Sequence, residues 1–232
     1  MRLGILGGTF DPIHQGHLDI ARAARGALGL DRVLLVPAHV PPHRSSRPRA
    51  SAYHRFAMVA LAVSGAEGCE ASDIELREAG PSYTAHTLRR LQQTGLAASQ
   101  LFFIVGVDAF AEIATWHEYP GLLDLAHFVV VSRPRYDVAM LRQRLPELSG
   151  RIVDLNSRGV EPDGGSPPGG TPTVVYLLHA APADVSSTEV RRRLDADEPL
   201  AGLVPGAVAR HIQTHRLYVP SPAPADRLHG QE

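Results

Sequence analysis

Apolar residues in this chain come either in short unbroken runs or at intervals of three and four. The runs fall at residues 2–6, 31–36, 101–108, 128–134 and 173–178. Runs of that length, bounded by glycine, proline or charge, read as strands buried on both faces. Weaker strand signals lie at 70–78, which alternates, and at 151–155. Helical spacing marks 18–28, 52–64, 84–93, 138–145 and 205–214, and a further helix start lies at Ser186 or Ser187. In the 52–64 helix Phe56, Val59, Ala60 and Val63 are the expected core, with Arg55 on the same helix. Ser82 or Thr84 is the expected cap of the 84–93 helix, and Gly29 the stop of the first. Strands alternating with helices predict an α/β fold, an open parallel sheet with helices on both faces and a small C-terminal helical part.

Bulk composition narrows this only a little. The chain has 232 residues, 44% of them hydrophobic, which suits one domain over 1–218 with a sizeable core. Residues 156–173 are rich in glycine and proline and are expected to form a flexible loop inserted in that domain. Residues 219–232 are expected to be a disordered tail. A net charge of −1 gives no general attraction to nucleic acid or to an anionic membrane, and no apolar run approaches the ~20 residues that span a bilayer. One cysteine and no leader-like start fit a cytoplasmic protein.

The chemistry concentrates at the end of the first strand, in Gly7-Gly8-Thr9-Phe10-Asp11-Pro12-Ile13-His14-Gln15-Gly16-His17. Strand, glycine turn and helix make a phosphate-binding layout, because the helix start presents N–H groups and favours negative charge. Gly7 and Gly8 allow a sharp turn, Pro12 stiffens the loop, and Gly16 is expected to let a phosphate approach the backbone. His14 and His17, three apart, can face one ligand. Solvated histidines on a surface loop, or a metal pair, are the alternatives. Neither Gly-x-Gly-x-x-Gly nor a Walker ending is present.

Other loops leave the same ends of the strands, where open parallel sheets bind ligands. Residues 37–44 are stiff with proline and end in His43 and Arg44, either solvated or holding a second phosphate. The start of the 84–93 helix, near Tyr83 and Thr84, could hold a carboxylate, although capping alone would explain its hydroxyls. Gly106 and Asp108 close the central strand, and an acid there commonly accepts from ribose hydroxyls. Trp116 is either core or a flat surface for a planar base. Arg133 ends the strand at 128–134. Ser186, Ser187, Thr188 and Arg191 make a second anion site at a helix start.

The loop at 7–17 resembles the signature of the nucleotidylyltransferase superfamily, which has a Rossmann-like fold. Pro41-Pro42-His43, Gly80 to Thr84 with Thr87-Leu88, Gly106, Asp108, Trp116, Arg133-Pro134 and Ser186-Ser187-Thr188-x-x-Arg191 follow in the order of the nicotinate-nucleotide adenylyltransferases. That likeness extends over residues 3–218. It implies ATP over Gly7, Gly8, Thr9 and Phe10, with His14, His17 and Arg191 as the catalytic groups and Ser186, Ser187 and Thr188 completing the triphosphate site. It implies nicotinic acid mononucleotide as acceptor: Trp116 on the pyridine, backbone near Tyr83, Thr84 and His117 at the carboxylate, Gly106 and Asp108 at the ribose, Arg44 and Arg133 at the phosphate. Mg²⁺ would accompany ATP, with no protein side chain as its ligand. Nicotinamide mononucleotide and phosphopantetheine are the rival acceptors, and a homo-oligomer is compatible with the family. Four features depart from the family pattern: Arg44 for lysine, His117 for tyrosine, Pro134-Arg135 for Pro-Gly, and the 156–173 insertion.

Overall fold

The computed structural model describes residues 1–42, 47–132, 141, 143–155 and 173–219. Arg44, Arg133, residues 138–140 and 142 of the expected 138–145 helix, nearly all of the 156–173 insertion, and the tail from 220 onward lie outside the described residues.

Among the described residues, seven parallel strands form one sheet in the order β3-β2-β1-β4-β5-β7-β6. They are β1 (Leu3–Gly8), β2 (Arg32–Pro37), β3 (Cys69–Ala71), β4 (Leu101–Gly106), β5 (His127–Ser132), β6 (Ile152–Asp154) and β7 (Val175–His179). The register pairs Ile5 with Leu34 on one side and with Phe103 on the other. The chain first builds outward from β1 to β3, then returns to lay β4 against the other side of β1. Strand order therefore reverses between β1 and β4, and that reversal opens a crevice at their C-terminal ends.

Alternation along each strand feeds two cores. Leu6, Leu35, Ile104 and Val131 face α1 (Gln15–Leu28), α2 (Ala52–Val63), α5 (Ser187–Asp195) and α6 (Gly206–Thr214). Ile5, Leu34, Phe103 and Val130 face α3 (Thr84–Gln93) and the four-residue α4 (Val107–Phe110). This is the Rossmann-like arrangement expected, with α5 and α6 as the C-terminal helical part. No helix among the described residues is long and apolar enough to cross a membrane.

Several elements differ from the sequence expectation. The alternating stretch 70–78 keeps only Glu70 and Ala71 in the sheet, where they end the short β3 that begins at Cys69. β2 ends at Pro37, which has no N–H to continue the ladder, and the chain instead turns with Leu76 N–H donating to Asp73 O and Arg77 paired to Asp73. α1 begins at Gln15 rather than residue 18, and Gly29 closes it in the left-handed conformation (φ 55°) as expected. On α2 the buried face is Arg55, Met58, Val59 and Val63, whereas Phe56 and Ala60 are half-buried. Tyr83 occupies the N-cap of α3 without a side-chain bond, and Ser82 Oγ instead accepts from His39 N–H at 2.8 Å. β4 stops at Gly106, so Asp108 lies in the first turn of α4 and not on the strand.

Candidate active site

Gly7 and Gly8 do not make the sharp turn expected of them: both are extended residues at the end of β1, paired with Val36 and Pro37, and aromatic rings lie against them. A Cβ on Gly8 would stand 3.0 Å from the Phe10 ring, and one on Gly7 would stand 3.3 Å from the ring of Phe103. Phe10, in the left-handed region (φ 48°), is itself buried. Gly16 has a different role from the one expected. Its missing Cβ makes room for the carbonyl of Ala183, 3.0 Å from where that atom would sit, so the backbone there is covered by protein.

The two histidines come together at the start of α1. His14 is the N-cap and His17 is the third helical residue. The backbone N–H of His14 donates to His17 Nδ1 at 3.2 Å, and the rings lie 3.7 Å apart, tilted by 30°. A ring nitrogen that accepts carries no proton, so the neutral His17 ring holds its proton on Nε2. His14 is buried and His17 half-buried against the edge of Phe10.

The start of α5 packs directly on this loop. Ser186 caps the helix by accepting from Glu189 N–H at 3.1 Å. Ser187 Oγ donates to Pro12 O at 2.8 Å, and Arg191 donates to Asp11 O at 2.5 Å and to Thr188 Oγ1 at 3.2 Å. Ser187, Thr188 and Arg191 are thus brought to the His14–His17 loop. All three hydroxyls, however, are already engaged within the protein, Ser186 as a cap, Ser187 on a carbonyl and Thr188 as an acceptor from Arg191. The five-donor fork of Arg191 retains capacity for a ligand.

Arg49, Arg55 and Tyr218 support the loop from elsewhere in the chain, Arg49 as a brace where sequence reading placed it in a cationic phosphate-holding loop. Asp11, 2% exposed, accepts from the backbone N–H groups of Arg49 and Ala50 and from the Tyr218 hydroxyl. Burial, with Asp11 beside it, pushes the Tyr218 phenol well above its ordinary range. Arg49 forks onto Asp195 and donates to Tyr218 O, tying the segment that follows α6 to the same place. Arg55, 1% exposed, donates to the carbonyls of Thr9, His39 and Ala50, which joins the loops after β1 and β2 to the start of α2. An arginine on the apolar face of a helix was the available signal for Arg55. Arg49 and Tyr218 had none, because their partners are remote in the chain.

Across the sheet reversal, Tyr83, Thr84, Trp116 and His117 line one small cleft of about 60 Å³ with Pro42. Trp116 is half-buried, meeting Phe103 edge-on at 6.1 Å. His117 is exposed and stacks on Tyr83 at 4.2 Å. Gly106 caps α4, and Asp108 is exposed beside it.

The family model described as cytidylyltransferase-like matches residues 5–193. A protein of Desulfatibacillum aliphaticivorans called probable nicotinate-nucleotide adenylyltransferase is 42% identical, covering 94% of this chain and all of its own. One of the same name from Symbiobacterium thermophilum is 40% identical over 94% of this chain and 95% of its own. Among solved structures, nicotinic acid mononucleotide adenylyltransferase of Plasmodium falciparum, complexed with NaAD, superposes with a TM-score of 0.67. It is 16% identical and the match covers 94% and 97% of the two chains, a likeness of fold.

Proposed function

This chain belongs to the cytidylyltransferase-like family, among its nicotinate-nucleotide adenylyltransferases, and we propose that it moves AMP from ATP onto the phosphate of nicotinic acid mononucleotide. An oxygen of the acceptor phosphate attacks the α-phosphorus of ATP. The bond from that phosphorus to the β-phosphate oxygen breaks, and pyrophosphate leaves as deamido-NAD forms. The nucleophile is already an anion, so the protein's part is positioning and charge stabilisation rather than proton removal.

The observation that carries this reading is the meeting of His14 and His17 with Thr188 and Arg191 across the Asp11–Pro12 loop, at the reversal between β1 and β4. Nε2–H of His17 supplies a fixed donor for charge building on the α-phosphate, and Arg191 a second. Trp116 offers its face to the pyridine, and the start of α3 at Thr84 together with the backbone at His117 receives the nicotinate carboxylate. Asp108 accepts from the ribose. Arg44 and Arg133, outside the described residues, are assigned to the acceptor phosphate from the family likeness alone.

Asp11 is the one carboxylate of the loop at 7–17, and it is occupied by three protein donors. That donor set fits a Mg²⁺ held by phosphate oxygens and water instead of by side chains. When bound, the ion neutralises phosphate charge. The single buried Cys69 suits a reducing compartment, and the cytoplasm is the site of action we assign.

Pyrophosphate release with ATP tests the proposal. Nicotinic acid mononucleotide should support turnover at least tenfold better, in kcat/KM, than nicotinamide mononucleotide or phosphopantetheine. A preference for either rival would overturn the acceptor assignment and leave the adenylyl transfer itself intact.

A further inference from the structure

Among the described residues, one group of three His, Cys, Asp or Glu side chains brings its ligand atoms close enough to hold a metal ion. His86 comes from the first turn of α3, and His117 and Glu118 come from the loop after α4. Their donor atoms all lie within 4.8 Å of one another. Glu118 Oε1 stands 3.5 Å from His117 Nε2 and 3.8 Å from His86 Nε2. Those separations are too long for good hydrogen bonds. A tetrahedral ion with ligands at about 2.0–2.2 Å separates neighbouring ligands by roughly 3.3–3.6 Å. Of the three edges, one therefore already has the length an ion would impose, the second exceeds it by a few tenths of an ångström, and the third, between the two imidazoles, lies within 4.8 Å and closes as the rings turn onto an ion.

The three groups are oriented without any ion. His117 stacks on Tyr83, and His86 meets His117 edge-on at 5.3 Å. Arg89, one turn along α3 from His86, forks onto the Glu118 carboxylate. That contact holds the Glu118 carboxyl below its usual range, so it is ionised at neutral pH. Each carboxylate oxygen has two lone pairs, so Oε1 can accept from Arg89 and still face the imidazoles. An outer partner that orients a ligating carboxylate is a common companion of metal sites. Two imidazoles with one carboxylate suit zinc-class dications, whereas Mg²⁺ and Ca²⁺ take oxygen ligands.

We propose that His86, His117 and Glu118 form a binding site for a transition-metal dication of the zinc class, at the mouth of the cleft lined by Tyr83, Thr84 and Trp116. The site is separate from the Mg²⁺ that travels with ATP. Three protein ligands leave one position for water or for an anionic group. An ion there fastens the start of α3 to the loop that carries Trp116.

Co²⁺ added to the chelator-treated full-length protein tests this through its visible d–d absorption, with Zn²⁺ as competitor. The expected result is one Co²⁺ per chain with the intense absorption of a four-coordinate ion, displaced by Zn²⁺. Affinity should fall by roughly tenfold or more in His86→Gln and in Glu118→Gln. It should hold in His54→Gln, which disrupts the other gathering of imidazoles, where His54 Nδ1 lies 3.2 Å from His211 Nε2 and His215 packs beside both. Circular dichroism checks that each variant is folded. A wild-type chain that takes up no Co²⁺, binding that survives His86→Gln, or binding lost in His54→Gln would each overturn the proposal.

Discussion

The backbone N–H of His14 donates to Nδ1 of His17 across 3.2 Å, so one side chain both caps α1 and is set in a single tautomer. The two roles can be separated. His17→Ala removes both, and His17→Asn keeps an acceptor near the His14 N–H but loses the Nε2 donor. Both variants should lose about 10²- to 10³-fold in kcat, the effect of removing one transition-state donor. Only His17→Ala should also melt earlier, by the ~1 kcal/mol of a lost cap. Steady-state pyrophosphate release and thermal melts of the two variants read these outcomes separately.

Arg55 holds three backbone carbonyls from inside the protein, and no other described residue joins those three segments in this way. Arg55→Met leaves these buried acceptors without their charged donor. At roughly 1.5–3 kcal/mol for a hydrogen bond to a charged group, the loss should be at least about 3 kcal/mol. Urea unfolding would report it as a lower midpoint at unchanged slope. A change below about 1 kcal/mol would mean that water replaces the guanidinium.

Tyr218 lies far along the chain from the loop it braces, and its hydroxyl donates to Asp11 Oδ1 at 2.9 Å. Tyr218→Phe retains the packing and deletes this bond, so it should cost about 1–2 kcal/mol. Because Asp11 anchors the segment that Arg191 also holds, the KM for ATP should rise in the same variant. Paired measurement of stability and KM would show whether the brace reaches the nucleotide.

His127 is 7% exposed and stacks on Phe102, with its Nδ1 accepting from Val174 N–H. Burial pushes its pKa down from 6.5 to about 4. The unfolded chain takes up a proton between those values and the folded chain does not. Stability is therefore whole above pH 6.5 and falls as pH drops toward 4, by an amount on the order of 3 kcal/mol. His127→Asn offers Val174 an acceptor that does not titrate. Its melting temperature, followed from pH 7 to 4.5, should decline less steeply than that of wild type, and parallel curves would count against the assignment.

Trp116 is half-buried, with Phe103 at its edge. Stacking on one planar ring is worth about 1–3 kcal/mol, so Trp116→Ala should raise the KM for nicotinic acid mononucleotide by about tenfold or more. The KM for ATP should move less than twofold. Equal changes in both constants would mark Trp116 as a core residue.

Local pattern determined most of the architecture. Unbroken apolar runs are a property of strands covered on both faces, which is why the existence and order of β1, β2, β4, β5 and β7 were readable, with ends displaced by about two residues or less, as was the helix stop at Gly29. The His14–His17 pair and the Ser187-Thr188-Arg191 group were equally legible, because contiguous motifs state their own spacing. Contacts between remote segments were decided only by the tertiary structure. Whether 70–78 pairs depends on a neighbouring strand that ends at Pro37, and alternation along one strand carries no information about its partner. Gly16 faces the carbonyl of Ala183, and Asp11 faces Arg49, Ala50 and Tyr218. A single chain position names its own side chain but not what the fold brings against it. The meeting of His86, His117 and Glu118 has the same origin, since no linear spacing joins the start of α3 to the loop after α4.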